Sequence, residues 1–94
     1  MESWIVAYGI SDPKRLRRVA ATCEDYGYRR QLSVFLMRLS KTEFVRLHTR
    51  LYDLIDKQAD QVLFIPLCAG CVSKIEAIGR PTEAVTARDV VMVV

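Results

Sequence analysis

Two segments of the chain, Trp4–Tyr8 and Val62–Ile65, are continuously apolar. Short runs of this kind predict β-strands covered on both faces, because a strand with one solvated face alternates polar and apolar residues. Between them the sequence predicts two helices, each with a single apolar stripe. Two such helices can cover only one face of a sheet, so we expect a second copy of the chain to cover the other face in a two-fold dimer.

The first helix has clear start and stop signals. Ser11 or Asp12 is expected to cap it, because a short polar residue before Pro13 is typical of a helix start. Gly27 is expected to end it at the usual C-terminal position. Apolar residues recur between these signals with the spacing of one helix face: Leu16, Val19, Ala20 and Cys23.

The remaining elements complete the order β-α-β(β)-α-β. Residues 28–39 predict either one bent strand or two strands with a tight connection. Ser40 and Glu43 form a capping box, and Pro66 is expected to stop the last core strand. The second helix, expected to end near Asp56, has one apolar face: Phe44, Leu47, Leu51, Leu54 and Ile55.

The C-terminal part adds extended segments to a single domain. Residues 74–78 could form a short additional strand, and Val90–Val94 is too apolar to be left in solvent. We therefore divide the chain into a folded domain, residues 1–79, and a tail, residues 80–94, that pairs with a sheet edge or with a partner. A chain of 94 residues has room for one domain.

The net charge of +3 hides a strong asymmetry. The segment from Lys14 to Arg50 contains ten Lys or Arg and three acids, whereas the rest of the chain contains four basic residues and eight acids. A basic segment at a helix start favours a phosphate backbone as partner, the alternative being a solvated helix face. The candidate nucleic-acid-binding residues are Lys14, Arg15, Arg17, Arg18, Arg29, Arg30 and Arg38.

Mg²⁺ needs hard oxygen ligands, and a carboxylate at a strand terminus, such as the end of the first strand, would be a rigid place to hold one. The residue there is Gly9, which has no side chain. Asp12 could substitute, alone or doubled across a dimer axis, but its position before Pro13 favours helix capping. The residues therefore identify no metal or catalytic site.

The cysteines and the single histidine offer little further chemistry. Three cysteines without framework spacing fit a reducing, cytoplasmic location, and neither an export signal nor a membrane-spanning run is expected. Cys68 and Cys71 form a lone C-x-x-C pair that predicts a small, partly buried turn rather than a zinc or redox site. Cys23 is expected in the core, and His48 at the edge of the second helix's apolar face.

Two motifs at a fixed separation resemble a known family: YGISDPKR, residues 8–15, and QLSVF, residues 31–35. Together with the basic helix and residues 26–27, they are similar to the second of the two core proteins of CRISPR spacer acquisition. That family is often described as CRISPR-associated endoribonucleases, and the likeness covers nearly the whole chain. Its recurrent motif positions include Tyr8, Gln31, Ser33 and Phe35, and Arg15 and Arg18 match others.

The resemblance implies an α+β, ferredoxin-like βαββαβ sandwich with a C-terminal extra strand, forming a homodimer with its sheets packed face to face. It also implies a role in capturing foreign DNA, in which the dimer bridges dimers of the CRISPR integrase along double-stranded DNA. Some members are Mg²⁺-dependent nucleases of RNA or DNA that hold the metal through an aspartate at the first strand's end. Gly9 stands at that position here, and Leu36 where an acid is common.

Three hypotheses follow. The first is a DNA-binding dimeric scaffold without hydrolytic activity. The second is an active magnesium-dependent endoribonuclease or deoxyribonuclease of the same family, with Asp12 or another acid as ligand. The third is a related toxin-like ribonuclease or a plain ferredoxin-like oligomerisation domain. The missing acid at Gly9 favours the first.

Overall fold

A computed structural model describes residues 1–79. Its seven elements follow the predicted order and end with one short helix. They are β1 (Glu2–Gly9), α1 (Pro13–Glu24), β2 (Gly27–Gln31), β3 (Val34–Leu39), α2 (Lys41–Leu54), β4 (Gln61–Leu67) and α3 (Ala69–Val72). For residues 28–39, the alternative of two strands with a tight connection is confirmed by β2 and β3. No helix within residues 1–79 has the length and apolar character needed to cross a bilayer.

The four strands form one antiparallel sheet in the order β2-β3-β1-β4. With one helix after β1 and another after β3, this is the predicted ferredoxin-like α+β fold. In β1, Val6 and Tyr8 are buried, whereas Ile5 and Ala7, which point to the opposite face, are only half-buried.

The core lies between the sheet and the two helices. It contains alternate residues of β1 and β3 and the inner stripes of both helices: Val6, Tyr8, Val19, Cys23, Phe35, Met37, Leu39, Leu47 and Leu51. The prediction that the helices cover only one face is confirmed. On the open face, the side chains of Leu63 and Ile65 in β4 are 47% and 45% exposed.

Both helix starts follow the sequence signals. Asp12 is the N-cap of α1, and its Oδ2 accepts a hydrogen bond from the Arg15 backbone N–H at 2.9 Å. Ser40 caps α2, and Glu43 accepts a hydrogen bond from the Ser40 N–H at 2.9 Å, completing the capping box. These caps satisfy backbone groups in the first turn of each helix and fix where the two helices begin.

Gly27 has a different role from the one predicted. α1 ends at Glu24, and within the described chain the only glycine with a positive φ is Gly79, so Gly27 is not a left-handed helix cap. It begins β2 opposite Met37, where an added Cβ would lie 2.5 Å from the Leu36 carbonyl oxygen and would also collide with Met37 Cγ. Close approach of β2 to β3 therefore explains the glycine.

Two other predictions are wrong. β4 continues through Pro66 to Leu67, because β4 is an edge strand and an edge tolerates the missing N–H of proline. Residues 74–78 form no strand: the chain turns through α3, and these residues pair with no strand in the described part of the chain. The predicted tail, residues 80–94 with Val90–Val94, lies outside the described residues.

Candidate functional site

A buried carboxylate lies beside the end of β1, where the sequence offered only Gly9. Asp60 directly precedes β4, next to the pairing of Gly9 with Gln61, and its side chain is fully buried. Its Oδ1 accepts hydrogen bonds from Ser11 N–H at 3.0 Å and Ser11 Oγ at 3.2 Å. Its Oδ2 accepts from Arg15 Nε at 2.8 Å and from the Asp56 N–H at 3.0 Å.

These contacts fully engage the Asp60 carboxylate. Hydrogen bonds from Arg15, and then from the backbone of Ser11 and Asp56, hold the pKa of Asp60 well below its usual range. The carboxylate therefore stays charged and is neutralised by a guanidinium. A metal ion would have to displace Arg15 to reach it. Asp60 therefore joins the β1–α1 connection, α1 and the loop before β4 rather than offering a ligand.

The donors at this end of the sheet do not fit Mg²⁺. Gly9 has no side chain, Asp12 is committed to capping, and Asp60 is paired with Arg15. A magnesium ion takes several oxygen ligands in octahedral geometry. Within residues 1–79 no three His, Cys, Asp or Glu side chains come together to hold a metal. Position 9 itself is open, since an added Cβ would meet no atom within 4 Å.

Three of the predicted nucleic-acid-binding residues form one exposed stripe on α1. Lys14, Arg17 and Arg18 are exposed and lie opposite the buried Val19 and Cys23. Their spacings of three and four residues place them on one side of the helix. Among the described residues they make no ion pair. We call Lys14, Arg17 and Arg18 the α1 basic stripe.

The other candidates are not equivalent to this stripe. Arg15 is held by Asp60, and Arg29 pairs with Glu24 at 3.8 Å and lies 5.3 Å from the centre of the Phe35 ring. Both side chains are already engaged within the chain. Guanidinium groups held in this way stabilise the fold and have fewer N–H donors left for a phosphate.

The two remaining candidates lie on the sheet, away from the α1 basic stripe. Arg38 is exposed and follows Leu36 by two positions in β3, so it shares the face turned away from the helices. Arg30 lies at an irregularity in the pairing of β2 with β3. The seven basic residues therefore form no single track on one protomer.

The family-motif residues have mainly structural roles. The Tyr8 ring stacks on Phe35 at 6.2 Å, and its hydroxyl donates to the Leu32 carbonyl at 3.3 Å. Burial raises the pKa of Tyr8, so this hydroxyl stays protonated. The Ser33 carbonyl accepts from the Tyr8 N–H at 3.1 Å. These contacts fix the β2–β3 connection against β1.

Gln31 is exposed at the end of β2, and Leu36, where the family commonly has an acid, is 6% exposed.

His48 lies among aromatic rings at the edge of the apolar face of α2. Its ring stacks on Phe64 at a centroid distance of 5.3 Å and lies 5.8 Å from the ring of Phe44. Within residues 1–79 it belongs to no cluster of three or more His, Cys, Asp or Glu side chains that could hold a metal. His48 is therefore part of an aromatic edge of the core.

Cys23 lies in the core, as predicted, and burial raises its thiol pKa to about 12. Cys68 and Cys71 are both exposed, so the predicted partly buried turn is wrong on this point. Asp60 is the residue that sequence reasoning missed. The available signal was an acid directly before an apolar strand, but its arginine partner lies 45 residues away.

Comparisons with known proteins agree with this fold. The model of the family described as CRISPR associated protein Cas2 matches residues 1–75. CRISPR-associated endoribonuclease Cas2 3 of Synechocystis sp. is 35% identical over 78 residues, which cover 83% of this chain and 85% of the relative. CRISPR-associated endoribonuclease Cas2 of Nitratidesulfovibrio vulgaris is 38% identical over 80 residues, covering 80% and 78%.

Solved structures give the same result. The Cas2 crystal structure of Streptococcus pyogenes superposes with a TM-score of 0.77 at 36% identity, covering 82% of this chain and 99% of that one. A hypothetical protein of Thermus thermophilus also gives 0.77, at 30% identity, with 86% and 94% covered. The family match over residues 1–75 and these relatives show that the chain belongs to the Cas2 family of CRISPR-associated proteins.

Proposed function

We propose that the chain is a homodimeric scaffold that binds double-stranded DNA during CRISPR spacer acquisition in the cytoplasm and bridges dimers of the integrase. The observation that carries this proposal is the α1 basic stripe. Three exposed cations at one helix surface, with no ion pair among the described residues, suit a phosphate backbone. DNA is the partner we favour over RNA, which remains an outcome of the binding test.

The open face of the sheet supports the dimer. Ile5, Leu63 and Ile65 share the face that neither helix covers. Two copies packed through this face would bury these side chains against each other, which is favourable by roughly 25 cal/mol per Å² of apolar surface. A sheet-to-sheet dimer leaves both copies of α1 at the outside, where the α1 basic stripe can reach DNA.

Hydrolysis by a bound magnesium ion is not part of the proposal. The acids near the end of β1 are committed to capping α1 and to pairing Arg15. The relatives' name, endoribonuclease, supports a second candidate, a metal-dependent nuclease. In that candidate the ligands come from Asp12 of two protomers.

The salt dependence of duplex binding tests the scaffold. Each phosphate contact contributes ~0.9 to the slope of log K against log salt concentration. We expect Arg17→Gln/Arg18→Gln to reduce that slope by ~1.8 per protomer and to weaken binding to any sequence equally. The matched control is Lys41→Gln/Arg46→Gln, which removes the same charge from exposed positions of α2.

Equal effects of the two double variants would refute the stripe as the binding surface. A preference for RNA over duplex DNA of equal length would refute DNA as partner. Arg15 is left unchanged in this test, because its substitution also removes the partner of Asp60.

A cleavage assay separates the two candidate functions. We expect no magnesium-dependent hydrolysis of RNA or duplex DNA by the unaltered chain, compared with a chelator control. Gly9→Asp can be built without steric conflict, since an added Cβ meets no atom within 4 Å. Cleavage by the unaltered chain that is lost in Asp12→Asn would establish the nuclease instead.

A further inference from the structure

The C-x-x-C turn after β4 places two thiols side by side at the surface. Cys68 caps the four-residue helix α3, and Cys71 lies within it. Their Sγ atoms are 3.2 Å apart, and the Cys71 N–H donates to Cys68 Sγ at 3.4 Å. Both side chains are exposed. A disulfide has an S–S bond of about 2.0 Å, so small rotations about the side-chain bonds would bring the atoms together.

We propose that Cys68 and Cys71 form a reversible intramolecular disulfide by exchange with low-molecular-weight disulfides such as glutathione disulfide. The pair is a chemical modification site on the chain, independent of the DNA-binding function proposed above. It lies at the exit of β4, and oxidation would covalently close the turn through which the chain continues towards residues 72–79.

The exchange is balanced in two steps. The Cys68 thiolate attacks one sulfur of glutathione disulfide, forming a mixed disulfide and releasing one glutathione thiolate. The Cys71 thiolate then attacks the Cys68 sulfur, forming the Cys68–Cys71 bond and releasing the second glutathione thiolate. The two protein thiols lose two electrons and two protons, and one glutathione disulfide becomes two glutathione molecules.

The surroundings support Cys68 as the attacking group. A hydrogen bond from the Cys71 thiol, and then from backbone N–H groups, lowers the pKa of Cys68, whereas the same contact raises the pKa of Cys71. Thiolates, not thiols, react with disulfides. Cys23 provides an internal contrast, because its burial keeps it protonated and inaccessible.

The test uses the reduced full chain and glutathione disulfide, followed by alkylation and intact-mass measurement. Before oxidation, native protein should alkylate at two of its three cysteines, and at all three once unfolded. After oxidation, native protein should alkylate at none and unfolded protein only at Cys23. Dithiothreitol should restore both reactive thiols.

Single variants identify the attacking thiol. We expect Cys71→Ser to stop at a stable mixed disulfide on Cys68. We expect Cys68→Ser to react several-fold more slowly, because the backbone N–H of residue 71, which stabilises the Cys68 thiolate, still donates to Cys68 Sγ in Cys71→Ser but has no sulfur to stabilise once Cys68 is replaced. Circular dichroism of each variant confirms that the fold is retained, as expected for exposed positions.

The proposal is overturned if the wild-type chain accumulates mixed disulfides at both cysteines. It is also overturned if oxidation yields disulfides between chains on a non-reducing gel, or leaves both thiols free to alkylate. Faster reaction of Cys68→Ser than of Cys71→Ser would overturn the assignment of Cys68 as the attacking thiol.

Discussion

Substituting Gly27 distinguishes two reasons for having a glycine there. A glycine that ends a helix in the left-handed conformation tolerates Asn and loses about 1 kcal/mol on change to Ala. A glycine required by close approach of two strands tolerates neither residue. The structure supports the second reason, because Gly27 lies in β2 opposite Met37 and is not a positive-φ residue.

The size of the effect follows from the contacts of the added atom. A Cβ at position 27 would lie 2.5 Å from the Leu36 carbonyl oxygen, whereas ordinary contacts begin near 3.4 Å. Met37 can change rotamer, but the carbonyl belongs to the backbone of β3 and cannot. β2 would have to move away by roughly 1 Å, and overpacking of this kind costs about 1–3 kcal/mol.

We therefore expect Gly27→Ala to lose about 2–3 kcal/mol of unfolding free energy, and Gly27→Asn at least as much. For a domain of this size each kcal/mol lowers Tm by about 4–8 °C, so the expected fall is roughly 8–24 °C. Urea and thermal unfolding followed by circular dichroism measure both quantities. Protein concentration is held fixed, because a dimer makes Tm depend on it.

Gly9→Ala is the matched control. An added Cβ at Gly9 meets no atom within 4 Å, so we expect a change of at most ~0.5 kcal/mol, or a slight gain through a less flexible unfolded chain. If Gly27→Ala stays within ~0.5 kcal/mol of the unaltered chain, or Gly27→Asn is clearly milder than Gly27→Ala, the close-approach explanation is refuted.

Two further predictions concern the buried ion pair and the open face. The pKa of the Asp60 carboxyl is lowered in the folded chain. The charged carboxylate therefore contributes its full stabilisation above the unfolded-state pKa of about 3.9, and this stabilisation is lost as the pH falls towards the lower folded-state pKa. Asp60→Asn should therefore destabilise the chain at pH 7 and make its acid unfolding less steep, and an unchanged profile between pH 5 and pH 2 would contradict this. Ile65→Glu, on the open face, should give a monomer by light scattering at micromolar concentration. The control Val45→Glu changes a residue of α2 that is 60% exposed, and it should leave a dimer. Equal masses of the two variants would count against the proposed interface.

Local sequence signals predicted most of the fold. The caps at Asp12 and Ser40 depend on residues within one helical turn, so their chemistry is readable without a structure. The open sheet face also followed from local patterns. The apolar strands have two faces to cover, and two helices with one apolar stripe each can cover only one of them. Pro66 misled the prediction because sequence alone does not show that its strand lies at an edge.

The site was less predictable, because its contacts join distant parts of the chain. Arg15 belonged to a basic run and was interpreted as a nucleic-acid contact, but its partner Asp60 comes from the loop before β4. Gly27 was interpreted as a helix cap because its conflict with Leu36 depends on strand register. Each of these roles depends on a partner that only the folded chain brings close, Asp60 for Arg15 and the Leu36 carbonyl for Gly27.

The Asp60 ion pair also bears on the order of folding. Its hydrogen bonds to Arg15 and Ser11 close loops of 45 and 49 residues, whereas β2 and β3 are joined by a two-residue connection. Closing a long loop costs more chain entropy, so these bonds are expected to form after the hairpin and largely after the folding transition state. Interactions made that late mainly slow unfolding. Asp60 is thus expected to set the lifetime of the folded chain rather than the speed at which it forms.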